Sequence, residues 1–326
     1  MGLRHPLKII ALLWLLTGAG CYLSWDSLDV LDPSPDAFDQ DAFNFMVVGD
    51  WGRGGWFWQD DVAEAMGGIG AEINSRFVIS TGDNFYEDGV ASVADGKWQS
   101  SFENVYTAPS LQTPWYAVLG NHDHRGNIQA QIDYTDQSDR WTMPARYYAF
   151  TQPIDDSTTA LFAFLDTEVF VFDDPAEVTQ QQRWLDSTLA NTEAQWKIVV
   201  GHHNLYAVRA GHGNSSRMQR AIEPLMEKHS VTAYLCGHVH SLQHLQPEGS
   251  SIDYLVSGAG SLAYKLEEPS DGALFAAASP GFLAVSLTPE AMHVRFFDYR
   301  GRVGYAAEVE SRPSTPKPVP VAEPVL

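Results

Sequence analysis

The chain has 326 residues, the length of one large domain or two small ones. It carries 41 acidic and 20 basic side chains, and the resulting net charge of −21 argues against a nucleic-acid binder and against basic docking on anionic lipid. Hydrophobic residues make up 44% of the chain, which excludes a disordered protein, and two cysteines are too few for a disulfide framework or a thiolate zinc cluster.

The N-terminal segment has the pattern of an export signal. Arg4 and Lys8 precede an apolar run over 9–16, and small residues lead from this run to Cys21. The run is short for a membrane anchor, which needs ~20 apolar residues, so we predict a signal peptide over 1–21. Two forms stay open, a conventional signal and a lipoprotein signal with Cys21 as the lipidated residue. Both predict a secreted, periplasmic or cell-surface protein.

Changes in composition delimit the folded part of the chain. Residues 22–43 are acidic and contain Pro33 and Pro35, so they are predicted to form a linker. Residues 312–326 contain five prolines and no apolar periodicity, which is typical of a disordered tail. Residues 44–311 show no internal repeat and no low-complexity break, so we predict a single domain there.

One pattern recurs five times within this domain: a short apolar run ends in a polar residue that can bind a metal. The five cases are residues 45–50, 77–83, 116–122, 198–202 and 234–240. Apolar runs of this length suit strands buried on both faces, and amphipathic stretches at 59–73, 180–189 and 217–228 indicate helices between several of them. The alternation predicts an α/β protein. Ligands bind beyond the carboxyl ends of strands in such sheets, so the five polar ends are expected to converge.

The residue types at these ends suit a pair of transition-metal ions. The candidates with oxygen or imidazole donors are Asp50, Asp83, Asn121, His202, His238 and His240. Mixed donors of this kind suit Fe, Mn or Zn, and six are too many for one four-coordinate zinc. Two metals that share a bridging carboxylate would use all six, and metals ~3.5–4 Å apart clamp phosphoryl oxygens. A single Gly-Asp pair is usually only a turn, so the prediction depends on the joint occurrence of these motifs.

Two local expectations follow from the same motifs. A glycine precedes each group of candidate ligands, and we expect it to let the backbone turn tightly off the strand. His238 and His240 are two residues apart, and on an extended segment their side chains would point to the same side.

The ordered motifs resemble those of the metallophosphoesterase superfamily, and specifically the small, mammalian-type purple acid phosphatases (tartrate-resistant acid phosphatase). They are Gly49-Asp50-Trp51-Gly52, Gly82-Asp83-Asn84-Phe85-Tyr86, Gly120-Asn121-His122-Asp123-His124, Gly201-His202-His203 and Gly237-His238-Val239-His240. The resemblance covers residues 44–309. It implies a four-layer α/β-β/α sandwich with two mixed sheets and a metal site at the carboxyl ends of the strands.

The resemblance also implies a metal centre with two sites. Its ferric site would be held by Asp50, Tyr86, His240 and the bridging Asp83, and its second site, for divalent Fe, Zn or Mn, by Asp83, Asn121, His202 and His238. A Tyr86 phenolate bound to Fe(III) would account for the purple colour of the family. Five positive charges on the metals against two carboxylates and one phenolate leave a net charge of about +2, so an acidic protein can still bind a phosphate ester.

The activity implied by the resemblance is acid phosphatase activity on small phosphate monoesters, with a metal-bound hydroxide as the nucleophile. His122 would contact the phosphate, and Asp123 would orient an imidazole. His212 is our candidate for the proton donor to the leaving group. The family places a Glu-His pair near this position and the carboxylate is missing here, so His203 and His124 stay open as alternatives.

Two other functions stay open. One is a phosphodiesterase or nucleotide pyrophosphatase of the same superfamily, and the other is a non-catalytic lipoprotein that binds metal or phosphate. We expect a monomer, a loop over 168–178 that is shorter than the loop whose cleavage activates the mammalian enzymes, and an inert buried thiol at Cys236. Four aromatic residues near the motifs are expected either to line the mouth of the site or to pack in the core: Trp51, Trp56, Trp58 and Phe85.

Overall fold

The structure is a computed structural model, and it describes residues 40–172, 174–208, 213–266 and 272–311. The predictions for the signal peptide with Cys21, for most of the linker, for the tail and for His212 lie outside these residues. None of the helices in the described ranges is both long and apolar enough to cross a membrane.

The described residues form two mixed sheets of seven strands each. In spatial order the first contains β14 (Val303–Glu310), β13 (Ala291–Asp298), β12 (Gly281–Leu287), β1 (Phe43–Val48), β2 (Val78–Ser80), β3 (Trp115–Ala117) and β4 (Trp141–Thr142). The second contains β11 (Ala273–Ala277), β9 (Leu242–Leu245), β10 (Asp253–Ser257), β8 (Ala233–Cys236), β7 (Trp196–Val200), β6 (Thr159–Phe164) and β5 (Tyr148–Pro153). The strands β1 to β4 are parallel, and so are β6, β7, β8 and β10.

Helices cover the outer faces of both sheets. They are α1 (Gln59–Glu72), α2 (Ile128–Asp133), α3 (Glu168–Phe172), α4 (Pro175–Ala190) and α5 (Ser216–Lys228). The three predicted amphipathic stretches correspond to α1, α4 and α5. The last two begin after side-chain caps, since Asp174 accepts hydrogen bonds from the first backbone N–H groups of α4 and Ser215 from that of Met218 in α5.

The core consists of three apolar layers. In β1, Phe45 and Val47 pack between the two sheets with Phe162 and Ile198, whereas the alternating Met46 and Val48 face α1 on the outside. A third cluster lies between the second sheet and the helices α3 to α5. Both faces of the central strands are therefore covered, which explains their continuous apolar runs. The predicted α/β-β/α sandwich is confirmed.

The carboxyl ends of five parallel strands meet at one edge of the sandwich. Val48 pairs with Ser80, and Ser80 with Ala117, so that β1, β2 and β3 end side by side. Backbone hydrogen bonds then link the segments that follow the strands, from Asp50 N to Gly82 O at 2.9 Å and from Gly237 N to His202 O at 3.1 Å. The predicted convergence of the five polar strand ends is confirmed.

Candidate metal centre

Three of the candidate ligands have an unusual backbone conformation. Asp50, Asp83 and His238 have φ values of 60°, 49° and 66°, in the left-handed region that non-glycine residues rarely adopt. Such a conformation costs free energy and persists where the surrounding structure enforces it, often at functional sites. His238 therefore does not lie on an extended segment, and the expectation that His238 and His240 point to the same side for that reason is wrong.

The glycines of these motifs are required mainly for space. Gly82 has a φ of 92°, as a tight turn demands, but Gly49, Gly120, Gly201 and Gly237 are not in the left-handed region. A Cβ atom on Gly120 would collide with the backbone nitrogen of Asp83, and one on Gly237 with the carboxylate of Asp50. The expectation of a glycine turn is thus correct at one motif, whereas at the others close approach of the chains excludes a side chain.

Four of the predicted ligands form one cluster around the hydroxyl of Tyr86. This hydroxyl lies 3.2 Å from Asp50 Oδ1, 3.0 Å from Asp83 Oδ2 and 3.1 Å from His240 Nε2. A phenol has one proton, so it can donate to only one of the two carboxylate oxygens at a time. Burial and the charges of Asp50 and Asp83 raise the pKa of Tyr86 well above its usual value. A cation at this point would satisfy all four groups, and these donors fit a metal ion.

The other predicted ligands form a second cluster around His202 Nε2. This nitrogen lies 3.2 Å from Asn121 Oδ1, 3.3 Å from His238 Nδ1 and 3.5 Å from Asp83 Oδ1. The opposite nitrogen, Nδ1, is 2.9 Å from the carbonyl oxygen of Thr81, which can only accept, so Nδ1 carries the proton of the neutral ring. The lone pair of Nε2 then faces other potential acceptors, and a cation fits here as well. Asp83 contributes one carboxylate oxygen to each cluster.

His122 lies beside the first cluster. Its ring centroid is 4.4 Å from that of Tyr86, and its Nε2 is 3.9 Å from Asp83 Oδ2. Its Nδ1 is 2.5 Å from the carbonyl oxygen of Glu87, which orients the ring. The imidazole therefore has a fixed position at the edge of the candidate metal centre.

Within the part of the chain that the structure describes, Asp123 makes no hydrogen bond to an imidazole, and the expectation that it orients one is wrong there. Its buried carboxylate accepts hydrogen bonds from the backbone N–H groups of Gly120, Asn84 and Phe85 at 2.8–3.2 Å, and from the amides of Asn84 and Gln131. These groups belong to the segments after β2 and β3. Asp123 thus joins the segment that carries Asp83 to the one that carries Asn121.

The remaining histidines named as possible proton donors line a cavity of about 710 Å³ beside the second cluster. Asn121 and His238 form part of its wall, together with His124 and His203. His124 Nε2 is 2.8 Å from Asp166 Oδ1. Burial lowers the pKa of His124, but the hydrogen bond and the charge of Asp166 outweigh this effect and raise it.

Two charged residues of the cavity wall, Glu168 and Arg146, were not predicted from the sequence. Glu168 follows β6 together with Asp166 and Thr167, and Arg146 precedes β5. Arg146 Nε donates to Asp166 Oδ2 at 2.7 Å, and its other nitrogens donate to Glu177 on α4. The available signal was the polar segment that follows the apolar run 159–165, a sixth strand end that resembles the other five but lacks their glycine.

The aromatic residues near the motifs fall into two groups. Trp51 and Phe85 are fully buried and pack edge to face, with ring centroids 5.5 Å apart, so they belong to the core. Trp56 and Trp58 are exposed. Cys236 is a buried free thiol, and burial raises its pKa, as expected for an inert cysteine.

The fold and the site define a class of protein. A family model described as calcineurin-like phosphoesterase matches residues 43–242, which contain β1 and all seven candidate metal ligands. A solved structure, described as GAP50, the anchor in the inner membrane complex of Plasmodium, superposes with a TM-score of 0.78 at 25% identity. That match covers 83% of this chain and 90% of the other.

Curated relatives narrow the class. The chain is 39% identical over 290 residues to purple acid phosphatase 4 of Arabidopsis thaliana, and this match covers 82% of this chain and 83% of the relative. It is 33% identical over 301 residues to tartrate-resistant acid phosphatase type 5 of Oryctolagus cuniculus, and this match covers 83% of this chain and 92% of the relative. The chain therefore belongs to the purple acid phosphatases, the family that its motifs resemble.

Proposed function

We propose that this protein is an acid phosphatase that hydrolyses small phosphate monoesters at a dinuclear centre of Fe(III) and a divalent Fe, Zn or Mn ion. The observation that carries the proposal is the meeting of seven side chains from five strand ends in two adjoining clusters that share Asp83. The names and coverage of the curated relatives support the same activity.

The two clusters differ in a way that supports two different metals. Asp50, Tyr86, His240 and Asp83 would hold the ferric ion, and Asp83, Asn121, His202 and His238 the divalent ion. The first set offers two carboxylates and a phenol, which suit Fe(III), and the second has two imidazoles and an amide oxygen, which suit a softer divalent ion. When bound, the pair would lower the pKa of a water molecule and neutralise charge on the phosphoryl oxygens.

His122 is proposed to contact the phosphate. The carbonyl oxygen of Glu87 accepts a hydrogen bond from its Nδ1, so the ring turns Nε2 towards the metal centre. In its protonated form the ring would donate from Nε2 to a phosphoryl oxygen, a charge-assisted hydrogen bond that fixes the ester before attack.

One observation favours a second candidate function, a non-catalytic binding protein. The solved structure with the TM-score of 0.78 is described as an anchor, not as an enzyme. A protein that had lost catalysis would be free to lose metal ligands, and all seven candidate ligands are present here. We therefore place the phosphatase first, and turnover by the purified protein separates the two functions.

The first experiment tests the metal centre. We expect iron in the purified protein and a visible absorption band from a ferric phenolate, which Tyr86→Phe abolishes. The matched control is Tyr116→Phe, since Tyr116 lies on β3 in the core, where its ring packs against Phe77 and Phe150. A band that survives in Tyr86→Phe, or a colourless protein without iron that hydrolyses esters at full rate, would contradict the proposed centre.

The second experiment tests the reaction. We expect the wild-type protein to hydrolyse 4-nitrophenyl phosphate much faster than bis(4-nitrophenyl) phosphate, because a monoester presents more free oxygens to two metals. Asp83→Ala removes a ligand from both clusters and is expected to abolish hydrolysis. Asp133→Ala is the control, since Asp133 is an exposed residue of α2. A faster diester reaction would favour the phosphodiesterase, and full activity in Asp83→Ala would contradict the mechanism.

Export and assembly belong to the same proposal. We propose a secreted or cell-surface monomer whose signal occupies 1–21, with the 44–311 domain as its folded part, and lipidation at Cys21 as the alternative to free secretion. Phase partition of the wild type and of Cys21→Ser in detergent separates these two forms. A wild type that enters the detergent phase and a variant that does not would show a lipid anchor, whereas two proteins that both stay in the aqueous phase would show free secretion.

A further inference from the structure

The cavity beside the second cluster has room for the leaving group of a substrate. Asn121 and His238, two candidate ligands, form one part of its wall, and Val169, Val171 and Phe172 of α3 form an apolar part. Because Asn121 and His238 belong both to the candidate centre and to the wall, an ester held at that centre would have one side facing this cavity. Glu168 is the first residue of α3 and lies in the same wall.

The hydroxyl of Thr167 determines which nitrogen of His203 carries a proton. Its oxygen accepts hydrogen bonds from the backbone N–H groups of His202 at 3.2 Å and of His203 at 3.0 Å. Both lone pairs of the hydroxyl are then used, so its proton goes to His203 Nδ1, 2.9 Å away. The neutral ring of His203 therefore has its proton on Nε2, and this nitrogen lies 3.5 Å from Glu168 Oε2.

The His203 ring is thus fixed at Nδ1 by Thr167, and its Nε2 lies 3.5 Å from Glu168 Oε2 without making a hydrogen bond to it. A ring fixed in this way limits the positions that the Glu168 side chain can take. The Glu168 oxygen that faces His203 stays open to a bond with an oxygen of a ligand in the cavity.

Glu168 is a buried acid with an unsatisfied oxygen. The residue is only 9% exposed, and within the described residues Oε2 has no hydrogen-bond partner. The charged and titratable groups that act on it are His124, His202, Asp166 and Asp83, and burial is the largest influence and raises the pKa of Glu168. Leaving a buried carboxyl oxygen unpaired is unfavourable, and a ligand oxygen in the cavity would remove that cost.

We propose that Glu168 is the proton donor to the leaving group, and that His203 and Thr167 position it. The inference rests on the proposed function. As the bond from phosphorus to the ester oxygen breaks, its electron pair goes to that oxygen, which takes the proton from the Glu168 carboxyl group. A hydroxide derived from water forms the new bond to phosphorus, and the carboxylate regains a proton from solvent.

The experiment compares two substrates on the metal-loaded protein, ethyl phosphate with a poor leaving group and 4-nitrophenyl phosphate with a good one. Glu168→Gln keeps the size of the side chain and removes its acidity. We expect kcat/KM for ethyl phosphate to fall about 100-fold or more, since general acids contribute ~10²–10⁴-fold, and kcat/KM for 4-nitrophenyl phosphate to fall only several-fold. The ratio of the two values is independent of the fraction of active protein, so partial misfolding does not alter it.

Three matched variants complete the test. Glu177→Gln removes another carboxylate of the cavity wall, one already paired with Arg146, and should leave the ratio of the two substrates unchanged. His203→Gln should lower the ratio less than Glu168→Gln does, as expected for a positioning residue. A ratio that changes most in His203→Gln, or most in His212→Ala, assigns the proton donor to that histidine and overturns the proposal.

Two further outcomes distinguish the failure of this inference from the failure of the proposed function. Wild-type protein that hydrolyses neither ester overturns the proposed phosphatase and this proposal with it. Active wild-type protein combined with equal losses on both esters in Glu168→Gln overturns the role of Glu168 alone. As an independent readout, the infrared difference between wild type and Glu168→Gln at acidic pH should show the band of a protonated carboxyl group, and its absence contradicts the proposal.

Discussion

Replacing Asp123 with alanine tests whether this carboxylate holds the candidate metal centre together. The side-chain amide of Asn84 would keep its bond to Val118 O, but four other buried donors would lose their acceptor: the backbone N–H groups of Gly120, Asn84 and Phe85, and the side-chain amide of Gln131. At about 1 kcal/mol or more for each unsatisfied donor, we expect the free energy of unfolding to fall by about 4 kcal/mol. Asp123→Asn keeps one acceptor oxygen and should lose about half as much.

The measurement is urea unfolding of the metal-free protein, so that metal binding does not contribute to the difference. Asp133→Ala is the control, because its exposed carboxylate accepts one hydrogen bond from Gln129, and it should change stability by less than about 0.5 kcal/mol. A loss below about 1 kcal/mol in Asp123→Ala would refute the reasoning, since four buried donors cannot lose their acceptor at so small a cost without other partners. We also expect Asp123→Ala to bind iron more weakly, because Asp83 and Asn121 are no longer joined.

Three further predictions concern the same site. The hydrogen bond to Asp166 raises the pKa of His124 in the folded state. The stability that this bond contributes is therefore fully present below pH ~6.5 and is lost as the pH rises through the folded pKa. When unfolding is followed across pH, this change in stability should be absent in Asp166→Asn. Asp83→Asn should raise the melting temperature of the metal-free protein, because it relieves repulsion between carboxylates. Added iron should raise the melting temperature of the wild type but not that of Asp83→Asn. An equal rise with iron in both proteins would contradict this prediction. Gly120→Ala places a Cβ against the backbone of Asp83 and should cost several kcal/mol in urea unfolding together with loss of bound iron, whereas Gly68→Ala, which meets no atom, should not destabilise the protein.

The part of the site that was predicted from the sequence lies directly after strands. Asp50, Asp83, Asn121, His202 and His238 each follow a short apolar run, and the parallel arrangement of such runs brings their ends to one edge. The prediction needed no knowledge of which strands are neighbours, because every parallel strand ends at the same side of its sheet. Tyr86 required the family resemblance, since an isolated tyrosine beside Phe85 carries no signal of its own.

The local geometry at these ends was predicted less well. The motifs Gly49-Asp50 and Gly237-His238 both suggest a glycine turn, but the left-handed conformation belongs to Asp50 and His238, whereas the glycines provide room for a neighbouring chain. Which residue of a pair adopts the unusual conformation depends on contacts with distant segments. A short sequence motif does not contain those contacts.

The sequence by itself determined the class of fold, the order of the metal-binding motifs and the family, because apolar runs and the residues that end them are local features of the chain. Only the tertiary structure decided the partners of the polar residues around the centre. It joined Asp123 to backbone N–H groups and His124 to Asp166, and it placed His203 beside Glu168 on α3. These pairs come from elements that no periodicity connects, and their partners depend on which loops the two sheets bring face to face.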